Sequence, residues 1–176
     1  ELNQVISNTL DPVTLLDKIV RAALTQFEAD EASVMLVDSS TGQLYVAASV
    51  GHESQDMLGL RVPMGRGIAG WVALHQEPLV FEGPITDPRF NVGRSRPEIQ
   101  SSLSVPMITR NHLVGVLNLN CIKKRHVFTQ GQIRISTIFT NSAATGVLAA
   151  RMYDEQHKLD LRYREILRMA ADAIIS

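Results

Sequence analysis

Three glycines fall within six residues at Gly65-Arg66-Gly67-Ile68-Ala69-Gly70, and Pro78 follows after only residues 71–77. The spacing is G-x-G-x-x-G, a dinucleotide fingerprint, and Asp87 lies about twenty residues further on. A dinucleotide fold needs a strand, a full crossover helix and a parallel second strand. The segment before Pro78 has room for about two helical turns, too short to cross back over a sheet. Asp87 stands in a proline-flanked turn, not at a strand end. The glycines therefore read as a tight turn that swings a short helix close to a sheet, and the context argues against a dinucleotide crevice.

The flanking segments are hairpins. Ser33–Val37 and Leu44–Val50 enclose the turn cluster Asp38-Ser39-Ser40-Thr41-Gly42-Gln43, and Ser102–Ile108 and Leu113–Cys121 enclose Thr109-Arg110-Asn111-His112. Leu79-Val80-Phe81 is a short strand and Glu53–Leu58 a short polar helix. Asp11-Pro12 opens a helix whose Leu15, Leu16, Ile19, Val20, Ala23, Leu24 and Phe27 make one apolar stripe. A long helix begins near Gln130, and residues 83–100 form a long, proline-containing connection, the kind of loop that tends to carry function. Hairpins outnumber crossovers, so the expected class is α+β with a mainly antiparallel sheet.

The composition sets outer limits. The 176 residues are 45% hydrophobic and 20% charged, with a net charge of −1, enough for one domain with a good core. The densest basic cluster, Lys123-Lys124-Arg125-His126, is too short for a nucleic-acid stripe and reads as a solvated loop. No apolar run spans a membrane and no signal peptide is visible, so neither membrane nor nucleic-acid contact is expected and the cytoplasm is the expected compartment. The single cysteine, Cys121, lies in an apolar strand and is expected to be a buried, inert thiol. Both termini are helix-like, which suggests a module within a longer protein.

With these elements in place, Pro63-Met64-Gly65-Arg66-Gly67-Ile68-Ala69-Gly70-Trp71-Val72 resembles the central P-x-G-x-G-[IL]-x-G-x-[VA] signature of GAF domains. Asp87-Pro88-Arg89-Phe90 resembles the family's D-x-R-[FY] loop, Ser101–Met107 its S-x-L-x-[VA]-P-[LI] strand, and Leu113–Leu119 its [LI]-[IV]-G-V-L-x-[LV] strand. The resemblance covers roughly residues 12–150. It implies a GAF-like sheet of about six strands with the terminal helices on one face. The short helices and long loop would roof a pocket on the other face. Residues 1–11 would be an N-terminal helical connector and 151–176 a C-terminal signalling helix.

The specialised versions of the family need residues that this chain lacks. Cys121 precedes Ile122 rather than histidine, which argues against bilin attachment, and one cysteine is too few for methionine sulfoxide reduction by thiol exchange. The cyclic-nucleotide motif N-K…F-x-x-x-D-E is matched in part by Asn120, Lys123 or Lys124 and Phe128, but Gln132-Ile133 stands in place of the acidic pair. His52, His75, His112, His126 and His157 show no metal-ligand spacing, so no haem, metal or other cofactor is expected. Ser101, Ser102 and Ser104 lack a nucleophile elbow, and no catalysis is expected.

What remains is a pocket for an unknown small molecule, with a cyclic nucleotide as an open alternative and a ligand-free spacer module as another. Met64, Ile68, Trp71, Val80, Phe81 and Phe90 are the candidate apolar walls. Asp87, Arg89, Ser101, Ser102 and Ser104 are the candidate polar anchors, Arg89 being suited to a carboxylate or phosphate unless Asp87 holds it. A homodimer is expected through Val5 and Ile6 and a near-heptad seam of Leu148, Met152, Leu159, Ile166, Met169 and Ala173, interrupted by Glu155 and Arg162. Whether that helix runs unbroken past His157 is left open by the sequence.

Overall fold

In the computed structural model, residues 11–51, 54–90 and 96–175 are described; Val5 and Ile6 lie outside them. The elements are α1 (Pro12–Gln26), β1 (Glu31–Val37), β2 (Leu44–Val50), α2 (Ser54–Met57), β3 (Arg61–Val62), α3 (Gly67–His75), β4 (Leu79–Glu82), β5 (Ser101–Thr109), β6 (His112–Cys121) and α4 (Gln130–Ile175). The strands form one six-stranded antiparallel sheet in the order β3-β2-β1-β6-β5-β4. The two hairpins expected from the sequence are joined edge to edge by β1 and β6, with Ala32 opposite Leu119 and Val34 opposite Leu117.

Local chemistry fixes each turn. The Asp11 carboxylate accepts the Thr14 amide at 2.8 Å and Pro12 occupies the first turn of α1. Arg110 and Asn111 both adopt positive φ, 50° and 61°, which makes the two-residue hairpin turn between β5 and β6 follow the natural strand twist. Thr129 Oγ1 accepts the Gln132 amide while Gln132 Oε1 accepts the Thr129 amide, a reciprocal cap that opens α4. Pro106 is tolerated in β5 because β4 pairs only as far as Ser104, leaving β5 an edge beyond that point. The pairing of β3 was not evident from the sequence; Arg61 on it reaches the Asp38 carboxylate at 2.7 Å across the first hairpin.

The core lies on both faces of the sheet. On one face α1 and α4 bury Leu16, Val20, Phe27, Ala144 and Val147 against Val34, Leu103, Val105, Leu117 and Leu119. On the other, α3 buries Val72 and Ala73 against Met35, Leu44, Val46 and Val116. The helix α4 is continuous past His157, and from Met152 onward none of its described residues is buried. Leu148 is half-buried. Among the described residues no helix is long and apolar enough to cross a membrane.

Asp30, between α1 and β1, ties the end of β6 to the start of β1. Its carboxylate accepts the amides of Ile122 at 2.7 Å and Lys123 at 2.9 Å. Burial alone would raise its pKa, but these amides and the Lys123 ammonium outweigh it and hold the group below the ordinary carboxylate value. A depressed folded-state pKa contributes stability that is complete above the unfolded value of about 3.9 and is lost as pH falls toward the lower folded value. Urea midpoints measured from about pH 6 down to about pH 3 are therefore expected to fall. Asp30→Asn should start lower and fall less steeply, and equal slopes would refute the assignment.

Candidate functional site

The glycine cluster works as a turn. Gly65 and Gly67 have φ of 79° and 63°, and the Gly65 amide is consumed by the Gly70 carbonyl at 2.8 Å. A Cβ on Gly70 would lie 2.5 Å from the Pro63 carbonyl oxygen, so only glycine lets α3 approach the preceding strand this closely. The device sets α3 over the second face of the sheet.

Beneath and beside α3, that face carries two polar rows in an otherwise apolar sheet. Strand register places Glu31, Asn120, Ser102 and Phe81 in one row across β1, β6, β5 and β4. The next row holds Ser49, Ser33, Asn118, Ser104 and Leu79. Ser104 Oγ donates to Asn118 Oδ1 at 2.8 Å, and Asn120 Nδ2 donates to Glu31 Oε2 at 3.2 Å. Arg96, at the end of the long loop, closes over the first row: its two terminal nitrogens donate to the two Glu31 oxygens at 2.8 and 3.1 Å, and its Nε donates to Glu98 at 2.7 Å. Among the described side chains one buried polar atom has no partner, the Ser102 hydroxyl, in a residue 3% exposed.

Aromatic rings wall this face. Phe90 meets Phe81 edge-to-face at 5.2 Å and Trp71 at 6.1 Å, and Trp71 stacks on His75 at 4.1 Å. Met64 packs with Trp71 against the apolar cluster below α3, and Ile68 is half-buried in the first turn of α3. Of the residues singled out from the sequence, Met64, Trp71, Phe81, Phe90, Ser102 and Ser104 thus come to the α3 side.

Three others are placed differently. Val80 packs with the core beneath the terminal helices, because it pairs with Leu103 and alternates with Phe81. Ser101 alternates with Ser102 in the same way, and its hydroxyl accepts the His126 amide at 3.1 Å. Arg89 is engaged by its neighbour: Nε and Nη2 reach the Asp87 carboxylate at 3.0 and 2.6 Å, and the guanidinium lies over the Phe90 ring. That pair holds Asp87 below and Arg89 above their usual pKa values through the shared hydrogen bonds, and it shapes the loop that delivers Phe90.

Glu31, Ser33, Arg96 and Asn118 were not singled out from the sequence, and Asn120 only as part of an incomplete cyclic-nucleotide motif. Their signal was there in part: Asn118 and Asn120 alternate with Leu117, Leu119 and Cys121, as Ser102 and Ser104 alternate with Leu103 and Val105. Polar residues two apart in adjacent strands mark a shared wet face. The link from Arg96 to Glu31 spans 65 residues and had no local signature.

The GAF domain family model matches residues 11–147. A probable 3',5'-cyclic phosphodiesterase of Caenorhabditis elegans is 29% identical over 166 residues, which is 88% of this chain and 23% of that protein. The chain therefore spans about a quarter of that relative. The fold is similar to the GAF domain of an Acinetobacter phosphoenolpyruvate-protein phosphotransferase, with a TM-score of 0.72, 18% identity, and 88% of this chain and 94% of that one covered. It is also similar to the free methionine-R-sulfoxide reductase of Neisseria meningitidis, with a TM-score of 0.69, 19% identity, and 85% and 86% covered. The family match, the six-stranded antiparallel sheet and the glycine turn beneath α3 agree: this chain belongs to the GAF domain family, a family of regulatory modules.

Proposed function

We propose that this domain is a non-catalytic, cytoplasmic sensor that binds a small polar molecule between the α3 side of the sheet and the aromatic wall, and relays its occupancy through α4. The observation that carries this reading is the Ser102 hydroxyl. A buried hydroxyl without a partner costs about 1–3 kcal/mol, and it lies in a row with Asn120 and the Arg96–Glu31 pair, next to Phe81. A ligand bearing both a ring and hydrogen-bonding groups would meet that arrangement. The lone thiol does not support thiol chemistry: Cys121 lies on the opposite face, and burial pushes its pKa up, away from the reactive thiolate.

The phosphodiesterase relative makes cyclic nucleotides the first probes. In this chain Lys123 pairs with Asp30 at 3.5 Å and Gln132 is spent on the α4 cap, so a nucleotide would rely on the polar rows instead. Thermal-shift and calorimetric titration with cyclic GMP, cyclic AMP and free amino acids tests the reading. Binding by one of these is expected in the parent chain and is expected to weaken at least tenfold in Ser102→Ala. The unliganded Ser102→Ala chain should be as stable as the parent or more so, because an unmet hydroxyl is removed. Ligand binding unaffected by Ser102→Ala would refute the site. If no probe binds and mass spectrometry of the purified chain finds no retained molecule, the ligand-free spacer reading replaces the sensor.

A further inference from the structure

Charge is used sparingly on the α3 side of the sheet. In the two polar rows Glu31 is the only charged side chain, while Ser33, Ser49, Ser102, Ser104, Asn118 and Asn120 are neutral. Glu31 is already spent. Its Oε1 accepts from Arg96 Nη2, and its Oε2 accepts from Arg96 Nη1 and from Asn120 Nδ2. Gly51 backs the same side chain so closely that a Cβ there would lie 2.7 Å from Glu31 Cγ. Arg96 is committed as well, because Glu98 takes its Nε at 2.7 Å. The guanidinium beside the aromatic wall, that of Arg89, is held by Asp87 at 2.6 Å.

We infer that the ligand of this site is uncharged, and that it is a planar nitrogen heterocycle presenting an N–H beside a carbonyl, the lactam edge of a nucleobase. The inference rests on the sensor reading above and adds the ligand's charge and its recognition edge. A phosphate or carboxylate would enter beside two carboxylates that already share Arg96. An ammonium would have to strip a bidentate guanidinium from Glu31. Either arrival leaves a charge in the site short of its partner, and separating a buried ion pair is costly. An uncharged ligand leaves the Arg96–Glu31 pair as it stands.

The polar group still to be met is the Ser102 hydroxyl, in a residue 3% exposed. Ser102 is paired with Asn120 on one side and with Phe81 on the other. Side chains directly opposite in an antiparallel sheet stand about 5 Å apart at Cβ, so hydroxyl, amide and ring fall within the span of one small heterocycle. A hydroxyl and a side-chain amide can each donate and accept. A lactam edge offers one donor and one acceptor side by side, and so suits both. The ring that carries it would join Phe81 and Phe90, which meet edge-to-face at 5.2 Å. In the next row Ser104 and Asn118 already bond each other at 2.8 Å, which leaves Ser102 as the point of recognition.

Calorimetric titration of the full chain with matched uncharged and charged probes tests the inference. Guanosine and uridine are the uncharged members; cyclic GMP and uridine 5'-monophosphate are their charged counterparts. At least one nucleoside is expected to bind, with a Kd that changes less than about twofold between about 0.05 M and about 0.5 M NaCl, because no ion pair forms. The added phosphate is expected to leave the affinity equal or to weaken it. Ser102→Ala is expected to weaken nucleoside binding about tenfold while the chain keeps its near-ultraviolet signal. A charged probe that binds at least tenfold tighter than its nucleoside, or a Kd that rises steeply with salt, would overturn the ligand class and leave the sensor reading standing. Nucleoside binding indifferent to Ser102→Ala would overturn the recognition edge. If no probe binds, mass spectrometry of the purified chain decides. A retained uncharged heterocycle supports the inference, a retained ion overturns it, and an empty chain sinks the sensor reading together with it.

Discussion

Gly115→Ala is expected to lower the unfolding free energy by about 3 kcal/mol or more. Gly115 sits in β6 opposite Leu36 of β1, where the two hairpins join. A Cβ built there overlaps the Met35 carbonyl oxygen and comes within 3.1 Å of Leu36 Cδ2. The obstructing atom is backbone, which cannot rotate away as a side chain would. The methyl group would fit only if β1 and β6 separated, stretching ladder hydrogen bonds between two central strands that are covered on both faces. With a urea slope of about 2 kcal/mol per molar, the midpoint should fall by roughly 1.5 M. Gly42→Ala is the comparison. Gly42 has a φ of 68° with nothing within 4 Å of a new Cβ, so it tests backbone conformation without crowding and should cost only about 1 kcal/mol. Equal losses at the two sites would show that the close approach at Gly115 does not matter.

Arg96→Met is expected to cost about 3 kcal/mol, because it leaves the Glu31 carboxylate buried with the Asn120 amide in place of a guanidinium. The Arg96 side chain is 18% exposed and that of Glu31 9%, so solvent does not screen the pair as it does Arg21–Asp17 on the surface of α1. The double variant Glu31→Met with Arg96→Met should recover much of the loss, since neither charge is then stranded. Chemical denaturation of the four chains gives the coupling directly. Additive losses would mean that the two side chains do not hold each other, and that the end of the long loop is secured by other contacts. The same four chains, titrated with cyclic nucleotides, show whether this ion pair bounds the binding site or only seals its rim.

The elements themselves were legible because their signals are local. An acidic cap with proline marked the start of α1, alternation marked the hairpins, and three glycines with a nearby proline marked a turn and a short helix. Even α4 announced its start, although the use of Gln132 as half of a reciprocal cap became clear only with Thr129 beside it. The strand β3 was not legible, since two residues carry no alternation and its place is set by the pairing of Arg61 and Val62 with Tyr45 and Leu44 of β2.

Side-chain facing was harder. Val80 and Phe81, or Ser101 and Ser102, are neighbours in sequence and belong to opposite faces, so an error of one residue moves a side chain from one layer to the other.

The amino-acid sequence by itself determined the class, the order of the elements other than β3, the two hairpins and the family, because each rests on short-range pattern. Tertiary structure alone decided which polar residues share a face and which one is left without a partner. Those relations join positions as distant as Glu31, Arg96 and Asn120, and they exist only once β1 has paired with β6 and the long loop has folded back over both.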